Sequence, residues 1–509
     1  MGYAPCGFQA RARTVSVQQV GNRMNWRHAR ITSALFVFVL AVSAEAATRQ
    51  QEIDRLVTKY NQLRQFNGAV LVADEKGIVH KKGYGQANFE WQLPNTPDTK
   101  FRLGSITKQF TSMVIMQLVA EGKLQLDDKL TKHLPDYRKD TGDRITISHL
   151  LNHTSGIPSY TSSPTFFAND SRDPYTVADF VKKFASGDLE FDPGTKWSYN
   201  NSGYFLLGAI IEKLTGMTYA QALQQRIFGP LGMKNSGYDV HATVLPKRAS
   251  GYQYGPGGLV NAPYLDMGLP YAAGSLYSTV EDLYLWDRAL YLDKLLPAPL
   301  KQQMFTPGMN QYAYGWTVGP IPLDDGKTQL ATVRHTGGIN GFSTILIRAP
   351  ERKELVVLLD NTSRGDKLEE LAAGVLSILH GLPPQQPRQA IGEVVMETLD
   401  KASVAEAIAR YRSLKATKAA EYDFSARELN RAGYQLLGTG RVADAIALFE
   451  LNVEMFPGDG NAYDSLGEAY MVSGNKERAI ANYRRSLELT PKNTNAVEML
   501  KKLEAPERK

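Results

Sequence analysis

Alternating apolar and polar positions mark strands at two widely separated places in the chain. Residues 68–85, "GAVLVADEKGIVHKKGYG", read as two short apolar runs about an Asp-Glu-Lys-Gly turn. That pattern predicts a β-hairpin, and hence an antiparallel pair. Residues 343–361, "STILIRAPERKELVVLLDN", predict a second hairpin turning at Pro350–Lys353. Between them the pattern is mostly helical. Thr107–Glu121 is an apolar-rich helix stopped by Gly122, and Tyr204–Leu214 is a second, stopped at Thr215-Gly216. Ser278 opens a third, with Glu281 three residues on as a capping box. The long apolar helix Asp366–Leu382 closes the stretch. Strands at both ends with helices between predict an α/β fold. One antiparallel sheet is built from the two ends and covered by helices, and the helical middle forms a second lobe across a cleft.

Residues Pro383–Pro387, "PPQQP", break this pattern, and the remainder of the chain reads as helix throughout. Ala445-Ile446-Ala447-Leu448-Phe449 recurs as Ala479-Ile480-Ala481-Asn482-Tyr483, and Gly433/Gly467, Gly440/Gly474 and Pro457/Pro491 share the same offset of 34. A 34-residue helix–turn–helix period is the tetratricopeptide (TPR) signature. A fainter copy, Ala407-Ile408-Ala409-Arg410-Tyr411, suggests a degenerate first unit, and Asn495–Leu503 a capping helix. The expected organisation is an N-terminal extension and signal peptide over 1–46 and a catalytic domain over 50–382. A linker with the degenerate repeat occupies 383–424, and an all-α TPR solenoid 425–505. The repeat surface is expected either to take a protein partner or to pack onto the chain's own catalytic domain.

Charge changes the picture mainly at the N-terminus. The formal net charge is +6, but residues 1–46 hold Arg11, Arg13, Arg23, Arg27 and Arg30 against Glu45 alone, so +5 − 1 = +4 of it lies there. With no basic stripe elsewhere, nucleic acid is not an expected partner. "MNWRHARITSALFVFVLAVSAEA" has a basic start, an apolar run from Ile31 to Ala44 and a small-x-small site at Ala44-Glu45-Ala46. The run is shorter than the roughly 18–20 residues that span a bilayer, so no stable membrane span is expected. Export to the periplasm or beyond is the expectation, with Met24 a candidate start and an uncleaved anchor the alternative. The single cysteine, Cys6, lies upstream of the cleavage site, so the mature chain would carry no thiol chemistry.

Candidate chemistry begins at "FRLGSITKQFT", residues 101–111, where Ser105 and Lys108 stand three apart after a glycine. A serine hydroxyl is a poor nucleophile without a positioned base, and lysine serves as one only when its amine is neutral. Lowering lysine from about 10.4 to about 7 takes roughly 4 kcal/mol of burial or nearby cations. The spacing alone is ambiguous, because Ser473–Lys476 repeats it at an expected turn between repeat helices. Two further stretches distinguish Ser105. "PGTKWSYNNSGYFLLGAIIEKLTG" carries Tyr199-x-Asn201 before a helix, and "RHTGGINGFST" carries His335-Thr336-Gly337-Gly338 just before the strand near Ser343.

Together these motifs resemble the three of the serine β-lactamase and penicillin-binding-protein family. The match is to the class C-like branch of D-aminopeptidases, D,D-carboxypeptidases and esterases. "ITISHLLNHTSGIP", "GPLGM" and "AAGSLYSTVEDLYLW" extend the resemblance over roughly residues 50–382. It implies Ser105 as the acyl-accepting nucleophile, Lys108 as its proton partner and Tyr199 as general acid or base. The Tyr199 phenol would be lowered from about 10 by the nearby cation. Asn201 would donate to Lys108 or to the substrate amide. His335 and Thr336 would contact substrate, and the backbone N–H groups of Ser105 and Gly338 would form the oxyanion hole. No metal or cofactor is implied. His335 stands where many β-lactamases carry lysine, which weakens the carboxylate pocket unless the imidazole is protonated. That departure favours peptide, amide or ester carbonyls over β-lactams.

Blander readings stand beside these. Tyr199 and Asn201 also suit a turn, and His335 a strand end. His149 and His153 sit at i, i+4 like a metal pair but lack a third ligand, which favours a structural loop near the cleft. Ser275 and Ser278 read as turn and cap residues, and Tyr277, Tyr284 and Trp286 as helix packing. The alternative to an enzyme is a catalytically weak binder of penicillin or cell-wall peptides that uses its TPR module as an adaptor.

Overall fold

The computed structural model describes residues 48–505, apart from 164 and 256–257. The two expected hairpins, β1 (Gly68–Asp74) with β2 (Gly77–Tyr84) and β5 (Phe342–Ala349) with β6 (Glu354–Asp360), lie in one sheet. A further pair, β3 (Thr317–Pro322) and β4 (Gln329–Ile339), extends it. The strand order is β3-β4-β5-β6-β1-β2, antiparallel throughout, and β1 meets β6 with Gly68 opposite Asp360. Ends of the region far apart in sequence are thus neighbours at the sheet's centre.

The central strands are apolar at nearly every position because both faces are covered. In β6, Leu355, Val357 and Leu359 join one core while Val356 and Leu358 join the other. The period of two sends alternate residues to opposite faces, so a doubly covered strand reads as an unbroken apolar run. The helix α1 (residues 50–62) and α5 (Gly365–Leu379) pack the second face. Helices α2 (Thr107–Ala120), α3 (Asn201–Thr215) and α4 (Val280–Ala289) belong to the first core. α2 is buried almost all round, as befits a helix between sheet and helical lobe. Trp286 of α4 stacks on Phe110 at 4.4 Å, and its indole N–H donates to Gln109 at 3.0 Å.

One expectation needs correction. The N-cap of α4 is Thr279, whose side chain accepts from the Asp282 N–H; Ser278 ends a short strand instead. His335–Gly338 stand just before β5, as expected, and themselves lie within β4, where the Gly-Gly pair continues the ladder to Ser343.

The C-terminal helices form a third core. α6 (Ile391–Leu399) and α7 (Val404–Thr417) precede the paired helices α8 (Ala426–Gly438), α9 (Val442–Met455), α10 (Gly460–Val472) and α11 (Lys476–Leu489), with α12 (Thr494–Glu504) at the end. Phe449 and Tyr483, one repeat apart, are both fully buried. Ser473 sits at the α10–α11 turn, its hydroxyl donating to the Tyr470 carbonyl at 2.8 Å, a structural role for the second Ser-x-x-Lys. These helices belong to the same compact unit as the sheet region. Lys367 bonds Asp423 at 3.4 Å, and Gln65 donates to the Arg388 carbonyl at 2.7 Å. Among the described residues no helix is long and apolar enough to cross a membrane. The expected signal peptide lies outside the described residues.

Candidate active site

The strand Phe101–Arg102 pairs with Leu276–Ser278, and Leu103 donates to the Leu276 carbonyl at 2.8 Å. The chain then makes one tight turn, Gly104–Ile106, and enters α2 at Thr107. Gly104 has φ +55, and a Cβ there would lie 2.8 Å from the Gly338 nitrogen. Only glycine tolerates both the left-handed backbone and that approach. The turn therefore presses β4 at Gly338 against the residue preceding Ser105.

Lys108, one turn into α2, is fully buried. Burial pushes its amine well below the usual 10.5, which favours the neutral form. Nζ lies 3.0 Å from Ser105 Oγ, 2.8 Å from Asn201 Oδ1 and 2.9 Å from the Ala273 carbonyl. A neutral amine has two protons and one lone pair. In that form the two carbonyl oxygens, which can only accept, would take both protons and leave the lone pair for the Ser105 hydroxyl. Asn201 thus accepts from Lys108 rather than donating to it. Its own amide donates to Thr161 Oγ1 at 2.8 Å, which fixes the orientation.

Tyr199 also differs from expectation. Its hydroxyl, hydrogen-bonded to Ser105, is pushed above 10 by burial, not lowered. The expected depression needed a nearby cation, and burial, which also disfavours charge on Lys108, outweighs it. Tyr199 is positioned by His153. The His153 carbonyl accepts from the Ser198 N–H at 2.9 Å and its Nδ1 from the Asn200 N–H at 3.1 Å, bracketing Tyr199 on both sides. The imidazole packs on the Tyr199 ring at 4.4 Å. His153 holds this place in the left-handed region, at φ +63, and is fully buried with Nε2 unpartnered. Burial, above all, holds its imidazole neutral.

His335 is buried in β4, and its imidazole is lowered to about 3, chiefly by burial. Nδ1–H donates to the Thr336 carbonyl at 2.5 Å, so Nε2 accepts from the Tyr312 hydroxyl at 2.9 Å. Thr336 is exposed on the cleft side. Ser105 and Gly338 border two cavities. One, of about 390 Å³, is largely apolar, with Tyr160, Phe166, Leu265, Leu269 and Phe342 among its walls. The other, of about 330 Å³, is lined by Trp197, Tyr199, Asn310, Tyr312, His335 and Thr336.

The structure thus brings Ser105, Lys108, Tyr199, Asn201, His335, Thr336 and Gly338 to one cleft. Sequence reasoning missed the Ala273 carbonyl, which has no side-chain signature, and Tyr312. It also placed His153 only in a loop nearby. His149 is a helix-capping residue whose Nδ1 accepts from the Thr146 N–H at 3.2 Å. Among the described residues no three metal-ligating side chains converge.

A serine, a buried lysine and a tyrosine at the seam between sheet and helical lobe define an acyl-transfer class of site. Comparison with known proteins places the chain within that class. Residues 53–379 match the Beta-lactamase family, and residues 460–493 match the Tetratricopeptide repeat. Penicillin-binding protein 4* of Bacillus subtilis (strain 168) is 32% identical over 366 residues, covering 67% of this chain and 78% of the relative. A penicillin binding protein from Bacillus halodurans superposes with a TM-score of 0.55 at 28% identity, over 64% of this chain and 98% of that one. The D-amino acid amidase from Ochrobactrum anthropi SV3, complexed with D-phenylalanine, does so with a TM-score of 0.56 at 25% identity, over 65% and 99%. The chain belongs to the β-lactamase and penicillin-binding-protein family of serine hydrolases, and it carries a C-terminal TPR repeat.

Proposed function

We propose that the protein is an exported serine hydrolase that forms an acyl-enzyme on Ser105, with uncharged esters and amides as its substrates. One observation carries the substrate class: among the described residues no Asp, Glu, Lys or Arg side chain lines either cavity, and His335 is held neutral. A β-lactam or peptide carboxylate would find no cation there, and a free α-ammonium no carboxylate. The apolar cavity suits the acyl group and the polar one the leaving group.

In this reading the Ser105 proton passes to Lys108 as Oγ bonds the carbonyl carbon. The oxyanion faces the N–H groups of Ser105 and Gly338. Tyr199 gives its proton to the leaving oxygen or nitrogen as that bond breaks, and recovers one from Lys108. Water then repeats the sequence in reverse, releasing the acid and free Ser105. The likeness to a D-amino acid amidase supports amides as a second class beside esters.

The test compares kcat/KM for a p-nitrophenyl ester, an N-acetyl-D-amino-acid amide and a chromogenic cephalosporin. The ester or amide should exceed the cephalosporin by at least about tenfold, the worth of one missing charge-assisted hydrogen bond. A cephalosporin rate equal to or above both would overturn the substrate assignment.

A further inference from the structure

Residues 361–364 connect β6 to α5 and face two ways. Ser363, at φ +57, lines the apolar cavity, and its hydroxyl donates to the Tyr252 carbonyl at 3.2 Å. Arg364, the next residue, points instead to the C-terminal helices. Its Nη2 donates to Glu393 Oε1 of α6 at 2.5 Å, and its guanidinium lies 4.0 Å from the Tyr254 ring centroid. Tyr254 belongs to a hairpin, Tyr252–Gly255 with Gly258–Asn261, whose Gln253 also lines the apolar cavity. Connector and hairpin therefore share one design. One residue walls the cavity, and its neighbour is part of the Arg364 cluster.

The pair is nearly desolvated, with Arg364 5% and Glu393 24% exposed. A charge pair taken out of water holds its geometry firmly, because separating it strands a buried charge. Behind Arg364, a space of about 220 Å³ bordered by Tyr254, Glu393, Met396 and Arg431 would let the guanidinium swing if its partner were lost. The helix that carries Glu393 is itself packed closely on the repeats: a Cβ on Gly392 would lie 2.6 Å from the Glu428 carbonyl oxygen of α8, so a displacement of α8 toward α6 would meet the α6 backbone.

We propose that Arg364 and Glu393 are positioning residues through which the C-terminal helices set the wall of the apolar cavity, and so select the acyl groups that reach Ser105. The inference rests on that cavity being the acyl site. A partner or ligand on the repeats that moved α8 would then alter acyl selectivity without touching the catalytic groups.

The experiment uses full-length Glu393→Ala, Glu393→Gln and Arg364→Lys with p-nitrophenyl acetate, butyrate and octanoate. Short- and long-chain fluorophosphonates are used in parallel. In Glu393→Ala the octanoate-to-acetate ratio of kcat/KM should change by at least about fivefold, with acetate turnover within about twofold of the parent. Glu393→Gln, which keeps a hydrogen-bond acceptor, should lie between. An unchanged ratio in folded variants, or an equal fall on every ester, would overturn the proposal by reducing the pair to a structural role. Should Glu393→Ala fail to fold, the two conservative variants decide the matter by the same ratio. If the parent labels with fluorophosphonate but hydrolyses no ester, the substrate assignment fails. The long-to-short labelling ratio then still reads the wall, and invariance of that ratio overturns the proposal.

Discussion

Replacing Asn201 by aspartate would put a carboxylate where the amide oxygen now accepts from Lys108 at 2.8 Å. At that distance and an effective dielectric of about 20, attraction to an ammonium is about 6 kcal/mol, or about four pKa units. The cost of burying the new carboxylate offsets part of this, leaving an expected rise of about one to three units. Burial now holds the Lys108 amine far below 10.5, ready to take the Ser105 proton. In Asn201→Asp it would remain an ammonium to higher pH, paired to the new carboxylate and unable to accept that proton. A raised lysine pKa delays appearance of the base, so the acid limb of the rate profile moves to higher pH. The assay is the second-order rate of fluorophosphonate inactivation against pH, which reads the nucleophile without a substrate assumption. On the acid limb the rate at a given pH should fall about 10- to 1000-fold and recover toward the parent value as pH rises. A limb that stays in place while the rate falls equally at every pH would refute the neutral-lysine account.

Three other outcomes are expected from the same geometry. His335→Gln should keep the shape of the rate profile from about pH 5 to 8, because the imidazole, at about 3, is already neutral there; a lost inflection in that window would contradict this. His153→Ala should lower kcat about 10- to 100-fold with little change in KM, since it removes the Nδ1 acceptor of the Asn200 N–H and the ring packed on Tyr199, and steady-state kinetics on one ester separate the two. Gly104→Ala should cost at least about 1–2 kcal/mol in a thermal melt and slow Ser105 labelling, because the Cβ meets Gly338 from a left-handed backbone.

Much of this was legible in the sequence. Both hairpins, the helix carrying Lys108 and the repeat turn at Ser473 emerge from apolar periodicity and turn residues, which local chemistry dictates. The β3 strand Thr317–Pro322 was not, because its glycine and two prolines obscure the alternation at a sheet edge. At the site, three ordered motifs named the side chains that meet. What they could not give was charge state. Tyr199 was expected to be acidified by a lysine cation, yet burial raises the phenol and disfavours charge on Lys108 alike. The second acceptor on Lys108 is a main-chain carbonyl, Ala273, which any residue could supply. His153 reads as a loop histidine until the fold shows its two hydrogen bonds around Tyr199.

We propose Ser105 as a nucleophile made competent by a neutral Lys108. Intact-mass and peptide mass spectrometry after treatment with a fluorophosphonate tests it most directly. The account expects a single adduct on Ser105, absent in Ser105→Ala and formed far more slowly in Lys108→Met. Failure of every acylating probe to add mass at Ser105, or labelling that survives Ser105→Ala, would contradict it.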